Sequence, residues 1–133
     1  MTNKRSPNKI MDTATPIFMQ VMQDILSKIA RKDLKCGDKL PSVRDLAIEY
    51  NINPNTVQKA VEKLTEQGYL ISYGTIGKRI TQDNELIEGI KQNLPKNTTM
   101  QYIETMRRYG MELSEIPQYI QKIIQEAQNA EYN

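Results

Sequence analysis

The first third of the chain carries one stripe of apolar residues at helical spacing. Apolar residues that recur three and four positions apart line one face of an amphipathic helix. Thr15-Pro16 precedes the stripe, and we expect a side-chain cap there, followed by the proline that a first helical turn tolerates. A loop is expected from Asp33 to Lys39. The stripe consists of Ile17 or Phe18, Val21, Met22, Ile25 and Ile29.

Two further stripes flank a short connection at residues 51–53. Ser42 is placed to cap the second helix, with Asp45 three residues on as an acidic variant of the capping box, and Asn51 suits a left-handed terminator. Asn53-Pro54 repeats the cap-then-proline pattern for a third helix of about 20 Å, which Gly68 ends. So short a connection predicts a helix-turn-helix. The inward faces are Val43, Leu46, Ala47 and Tyr50, then Val57, Ala60, Val61 and Leu64.

Two short β-prone runs, at residues 70–73 and 78–81, bracket a glycine-containing turn at 74–77. This pattern predicts a β-hairpin following the third helix, with basic residues at its tip. Three helices and a hairpin make a winged helix-turn-helix domain. The fold class expected for the whole chain is mainly α with a small β-hairpin, in which this domain is followed by a short α-helical dimerisation region, described next.

The residues beyond Asp83 carry apolar stripes of their own. Leu86, Ile87, Ile90 and Leu94 predict a short helix that Pro95 stops, a second helix ends near Gly110, and a third stripe follows. Helices with this much apolar surface cannot bury it on each other alone, so we expect self-association. Packing onto the winged domain and a ligand pocket are the alternatives. The expected interface residues are Met100, Ile103, Met106, Leu113, Ile116, Ile120 and Ile123.

Charge divides the chain at the same place. The 133 residues carry a net charge of only +2. Residues 1–82 hold 13 Lys and Arg against 8 Asp and Glu, whereas residues 83–133 hold 5 against 8. The basic part is suited to a polyanion. We therefore expect a flexible basic arm at 1–12, a DNA-binding domain at 13–82 and a helical dimerisation region at 83–133.

The composition argues against catalysis. There is no histidine, which excludes Ser–His and Cys–His nucleophiles and histidine metal sites, and the carboxylates lack metal-ligand spacing. The single cysteine, Cys36, fits a reducing cytoplasm. No apolar run approaches the roughly 20 residues of a membrane span. We expect a cytoplasmic protein that is not an enzyme and has no cofactor, metal or membrane partner.

The third helix carries the polar residues best placed to read DNA. Asn and Gln pair with adenine, Thr contacts the thymine methyl group, and Lys suits guanine or phosphate. Capping and solubility are the alternative roles. Arg44 can grip a phosphate or a base, or pair instead with Glu49. The candidates are Asn53, Asn55, Thr56, Gln58 and Lys59, with Gly77, Lys78 and Arg79 at the hairpin; Lys28, Arg31, Lys32, Lys35 and Lys39 are expected to form a solvated face.

Three segments resemble the GntR family of bacterial transcription regulators. They are LPSVRDLA at 40–47, INPNTV at 52–57 and KLTEQGYL at 63–70. The run at 53–57 is especially similar to the YtrA subfamily, whose short C-terminal part is two helices that dimerise, and YGMELSEI at 109–116 resembles the junction between those helices.

This resemblance implies a homodimeric repressor, often of a transporter operon beside its own gene. It places Ser42, Arg44, Asn55, Thr56 and Gln58 on or near DNA, with Gly77 turning the wing. The chain departs from the family where Gln58-Lys59 replaces the arginine of many relatives, and where Thr75-Ile76-Gly77 replaces Gly-x-Gly.

We therefore expect a sequence-specific regulator that binds a palindromic operator in double-stranded DNA, with half-sites about one helical turn apart or a multiple of that spacing. The alternative is a winged-helix adaptor that binds proteins without DNA specificity. The sequence identifies no small-molecule effector, and about 50 residues after the hairpin are too few for the large metabolite-binding domain of bigger relatives.

Overall fold

The computed structural model describes residues 15–132, so the predicted basic arm at 1–12 lies outside the described residues. Five helices and one antiparallel hairpin occupy the described part of the chain. The helices are α1 (Ile17–Ala30), α2 (Val43–Tyr50), α3 (Pro54–Glu66), α4 (Asn84–Arg108) and α5 (Ile116–Tyr132); the strands are β1 (Leu70–Ser72) and β2 (Lys78–Ile80).

The predicted helical stripes form the core of the first three helices. Helix α3 packs against both α1 and α2. The apolar side of α3 is fully buried, and so are Val21, Ile25 and Ile29 of α1. The buried residues of α3 are Val57, Ala60, Val61 and Leu64. Gln20 and Leu26 are also buried, which widens the stripe of α1, and Phe18 is more buried than Ile17. The helix-turn-helix prediction is confirmed.

The ends of α2 and α3 follow the sequence closely. Ser42 Oγ accepts a hydrogen bond from Asp45 N at 3.0 Å, and Asn53 Oδ1 accepts one from Asn55 N at 2.7 Å. Asn51 adopts the left-handed conformation, with φ 58° and ψ 51°. These are local interactions, within three residues, so the short motifs are enough to predict them.

The predicted cap of α1 is wrong. Pro16, rather than Thr15, occupies the cap position with ψ at 141°, and no side chain caps the helix there. The backbone is still extended at Pro16, so the first helical residue is Ile17. The carbonyl of Pro16 accepts from Met19 N at 3.0 Å and from Gln20 N at 3.2 Å.

The hairpin has a third, short neighbour that the sequence did not indicate. β1 and β2 pair in the register Leu70 with Ile80 and Ser72 with Lys78. The end of the predicted loop is extended and forms an isolated antiparallel bridge between Lys39 and Arg79. Ile80 N donates to Asp38 O at 2.8 Å and Leu40 N donates to Lys78 O at 2.9 Å. The segment before α2 is therefore attached to the wing.

Pro95 does not stop a helix, contrary to expectation. Helix α4 has 25 residues and contains this proline in its interior, so the two helices predicted between residues 84 and 110 are one. A proline removes the single hydrogen bond that its own nitrogen would donate, here to Lys91 four residues earlier, at a cost of about 3 kcal/mol. The helical bonds on either side maintain the helix.

The C-terminal residues follow a turn at Gly110. A 3-10 turn at Leu113–Glu115 precedes α5 and is closed by reciprocal capping of Glu112 and Glu115, with Glu112 N donating to Glu115 Oε1 at 2.8 Å. The chain divides into one compact unit up to Lys91 and another from Gln92 onward. The functional division at residue 82 stays a prediction. Among the described helices, none combines the length and apolarity that crossing a membrane requires.

Candidate nucleic-acid interface

The exposed side of α3 is polar. Because Val57, Ala60, Val61 and Leu64 face the core, Asn55, Gln58 and Lys59 are turned to solvent, and Thr56 is half-buried. The 13 residues of the helix span about 20 Å, a length that fits a DNA major groove. Proline in the first turn and the Asn53 cap fix where this polar surface begins.

Two of these polar side chains have partners within the protein. Gln58 Nε2 donates to Glu62 Oε2 at 3.0 Å, one turn along the same helix. Lys59 Nζ lies 4.0 Å from the centre of the Phe18 ring on α1, a cation–π distance. To hydrogen-bond a base, the Gln58 amide must break its hydrogen bond to Glu62 or donate its second N–H to the base.

Arg44 projects into solvent from the first turn of α2. Within residues 15–132 its side chain has neither a hydrogen bond nor an ion pair. The partner suggested by sequence, Glu49, accepts instead from Lys28 Nζ at 3.1 Å. The guanidinium of Arg44 therefore has all its donors available for a phosphate or a base.

A groove of about 300 Å³ brings several predicted residues together. It runs between the start of α2, the side of α3 and the turn of the hairpin. Its lining includes Ser42, Gln58, Gly77 and Lys78, four residues that the sequence placed on three separate elements. Lys39 also lines it, although the sequence predicted only a solvated role for this lysine. The sequence signal for this role was the position of Lys39 shortly before Ser42, the cap residue of α2.

The basic pair of the wing lies in strand β2 and not at its tip. The tip is the 3-10 turn Gly74–Ile76, and Lys78 and Arg79 are half-buried behind it. Arg79 Nη1 donates to Gly37 O at 3.0 Å, and the guanidinium carbon lies 5.9 Å from the centre of the Tyr73 ring. Gly77 has φ 107° and ψ −161°, a conformation that favours glycine, and the Lys39 side chain lies beside it, with Cε 3.6 Å from where a Cβ would stand.

Other chemistry is sparse. No cluster of three or more His, Cys, Asp or Glu that could hold a metal ion occurs among the described residues. Cys36 Sγ donates to Asn84 Oδ1 at 3.3 Å. Burial, together with the adjacent Asp24 carboxylate, raises the pKa of the Tyr50 hydroxyl well above its usual range.

The predicted dimerisation residues differ in exposure. Met100, Leu113 and Ile123 are exposed, Ile103, Met106 and Ile120 are half-buried, and Ile116 is buried within one protomer. One open face of α4 carries both apolar and charged groups, among them Met100, Ile103, Glu104 and Arg107.

Comparison with known proteins gives a consistent result. Residues 19–80 match the family described as bacterial regulatory proteins, gntR family. The HTH-type transcriptional repressor YtrA of Bacillus subtilis is 32% identical over 123 residues, which cover 91% of this chain and 94% of YtrA. A GntR family transcriptional regulator from Listeria monocytogenes superposes with a TM-score of 0.71 at 31% identity, covering 84% of this chain and 98% of that one.

A solved complex also contains a domain that resembles the winged part of the chain. The N-terminal domain of AraR, solved in complex with mutant ORR3, superposes with a TM-score of 0.50 at 26% identity. It covers 53% of this chain and all of that domain. Together with the exposed polar side of α3, these matches show that the chain belongs to the GntR family and is a winged helix-turn-helix, DNA-binding transcriptional regulator similar to YtrA.

Proposed function

We propose that this protein is a homodimeric repressor that binds a palindromic operator through two copies of its winged helix-turn-helix. The observation that carries the proposal is the division of α3 into a fully buried apolar side and an exposed polar side beside the Ser42–Gln58 groove. A helix of this kind presents its first turns to base edges when it enters the major groove.

Base reading is assigned to the first turns of α3. Asn55 and Gln58 carry amides that pair with adenine, Thr56 offers a methyl group to thymine, and Lys59 offers a donor to guanine or phosphate. Because Gln58 replaces an arginine common in relatives, we expect a preference for adenine at its position. Asn53 orients this surface by capping the helix.

Phosphate binding is assigned to the residues around α3. Arg44 and Ser42 lie at the start of α2, and Lys78 and Arg79 lie on the wing. Gly77 allows the wing backbone to approach a phosphate closely. These contacts set the orientation of the protein on the duplex, whereas the α3 contacts select the sequence.

Dimerisation is assigned to the exposed apolar residues of α4 and α5. A two-fold dimer presents two recognition helices to two half-sites of a palindrome. The similarity to YtrA, which is a repressor by name, supports repression. By resemblance to the family we propose a transporter operon near the protein's own gene as the target and the cytoplasm as its location.

Footprinting of the intergenic DNA beside the gene tests this function. We expect one protected inverted repeat and a complex that weakens steeply with salt. Arg44→Ala should weaken binding and reduce the slope of log Kd against log salt by about 0.9 for each protomer on the DNA. Arg31→Ala is the matched control, because Arg31 is exposed but pairs with Asp33 at 2.7 Å.

Two results would contradict the proposal at different levels. Wild-type affinity of Arg44→Ala would remove Arg44 from the interface and leave the rest in place. Absence of a salt-sensitive complex with any duplex would overturn operator binding itself and favour the adaptor function.

A further inference from the structure

The Lys39–Arg79 bridge places two cations opposite each other on the wing. These residues are direct partners in an antiparallel bridge, so their side chains leave the backbone on the same face. Their Cβ atoms start about 5 Å apart, but the two side chains then diverge: the Lys39 stem reaches Gly77, whereas Arg79 Nη1 donates to Gly37 O.

Neither cation of this pair is neutralised by a carboxylate. The ion pairs of the described residues involve Lys28, Arg31, Lys32 and Lys91, and none includes Lys39 or Arg79. The neighbouring Asp38 carboxylate accepts instead from the backbone N–H of Lys35 at 2.8 Å. Arg79 donates one N–H to Gly37 O, which leaves its other donors for a ligand.

The surroundings of the pair are open to an anion. The Cε atom of Lys39 lies 3.6 Å from the point where a side chain on Gly77 would begin, so its stem passes over the bare backbone of the wing turn. Lys39 also lines the groove that contains Ser42 and Gln58. Lys39 therefore lies beside residues assigned to DNA and not on a separate solvated face.

We propose that Lys39 is a phosphate clamp on the wing, which holds one backbone phosphate of duplex DNA beside Gly77. Its ammonium has no carboxylate partner among the described residues, so the phosphate supplies the opposite charge. The bridge to β2 fixes the Lys39 backbone, which lowers the entropy lost when its ammonium binds. This inference rests on the proposed operator binding and adds a residue that the sequence did not assign to DNA.

Lys39→Gln tests the clamp, because it removes the charge and keeps a long side chain. We expect the slope of log Kd against log salt to fall by about 0.9 for each bound protomer. When salt is raised from 50 to 200 mM, the factor by which Kd increases should therefore be about 3.5 times smaller for the variant than for the wild type, per bound protomer. Its thermal midpoint should stay close to that of the wild type, because the Lys39 side chain forms no ion pair among the described residues.

Two control variants separate the clamp from general charge. Lys35→Gln removes the same charge four residues away, outside the groove, and should keep the wild-type slope. Lys39→Arg keeps the charge and should also keep the slope. The proposal is overturned if Lys39→Gln and Lys35→Gln have the same slope, or if Lys39→Gln weakens binding only by unfolding the wing.

A free anion is the competing source of the same chemistry. Titration with inorganic phosphate, followed by ³¹P NMR without DNA, distinguishes it. Binding of inorganic phosphate that depends on Lys39, combined with an unchanged DNA salt slope, would overturn the assignment to the DNA backbone. If the wild-type protein forms no salt-sensitive complex with any duplex, the proposed function itself fails, and that result is distinct from failure of the clamp.

Discussion

The Tyr50 hydroxyl donates a hydrogen bond to Asp24 Oδ2 at 2.6 Å, which joins the last turn of α2 to the middle of α1. Lys28 Nζ lies 3.3 Å from the same carboxylate and 3.1 Å from Glu49 Oε2, above the face of the Tyr50 ring. This polar cluster positions α2, whose cap residue Ser42 lines the groove and whose first turn presents Arg44 to solvent. It therefore supports the interface without belonging to it.

Tyr50→Phe should reduce the free energy of unfolding by about 1.5–3 kcal/mol, the usual range for a hydrogen bond to a charged group. The phenyl ring keeps its buried packing, so the loss reports the hydroxyl. Urea unfolding followed by circular dichroism measures it. Tyr109→Phe is the control, because Tyr109 is highly exposed and should change stability little. If Tyr50→Phe and Tyr109→Phe both had the wild-type free energy of unfolding, the hydrogen bond between Tyr50 and Asp24 would contribute nothing to stability.

The stability of the wild type relative to Tyr50→Phe should depend on pH above the ordinary tyrosine pKa of 10.0. Burial first and Asp24 second raise the pKa of the folded hydroxyl, so above pH 10 the unfolded chain loses a proton that the folded chain keeps. The wild-type advantage should be constant below pH 10 and shrink by about 1.4 kcal/mol per pH unit above it. Paired urea titrations at pH 8 to 11 measure the difference, and a constant difference would contradict the raised pKa.

Gly77→Ala should destabilise the wing by about 1–3 kcal/mol, because φ 107° with ψ −161° is a region that only glycine adopts without strain. The same variant should weaken DNA binding, since a strained turn displaces Lys78 and Arg79. Gly74→Asn is the control, because asparagine tolerates the φ of 64° at that position. Thermal unfolding and fluorescence anisotropy report the two effects. An unchanged midpoint in Gly77→Ala would show that the turn relaxes freely.

Ile123→Asp should raise the dissociation constant of the dimer at least tenfold, because a buried charge without a partner is costly at an interface. Ile123 is 40% exposed on α5 in a single protomer. Sedimentation equilibrium without DNA measures the change. Ile48→Asp is the matched control, because Ile48 is 71% exposed on α2, outside the C-terminal region. A dimer unaffected by Ile123→Asp would place the interface elsewhere.

Much of the winged fold could be predicted because its signals are local. The buried stripe of α3, the Ser42 and Asn53 caps and the left-handed Asn51 all depend on residues a few positions apart. The same kind of rule failed at Pro95, because a proline removes one hydrogen bond and cannot show whether the rest of the helix persists. At the start of α1 the predicted cap residue, Thr15, was wrong by one position, because Pro16 has the extended backbone that precedes the helix.

The sequence by itself determined most of the buried residues of the first three helices and where the ends of α2 and α3 lie, since periodicity and capping act over one or two turns. It missed Gln20 and Leu26, and two residues of its predicted stripes, Met22 and Val43, are only half-buried. Only the tertiary structure decided which polar groups meet. It paired Arg79 with Gly37, set Lys39 opposite Arg79 and placed Lys59 on Phe18, across 42, 40 and 41 positions of chain. Such contacts depend on the path of the backbone, because each ammonium or guanidinium pairs with whatever the fold brings within a few ångströms.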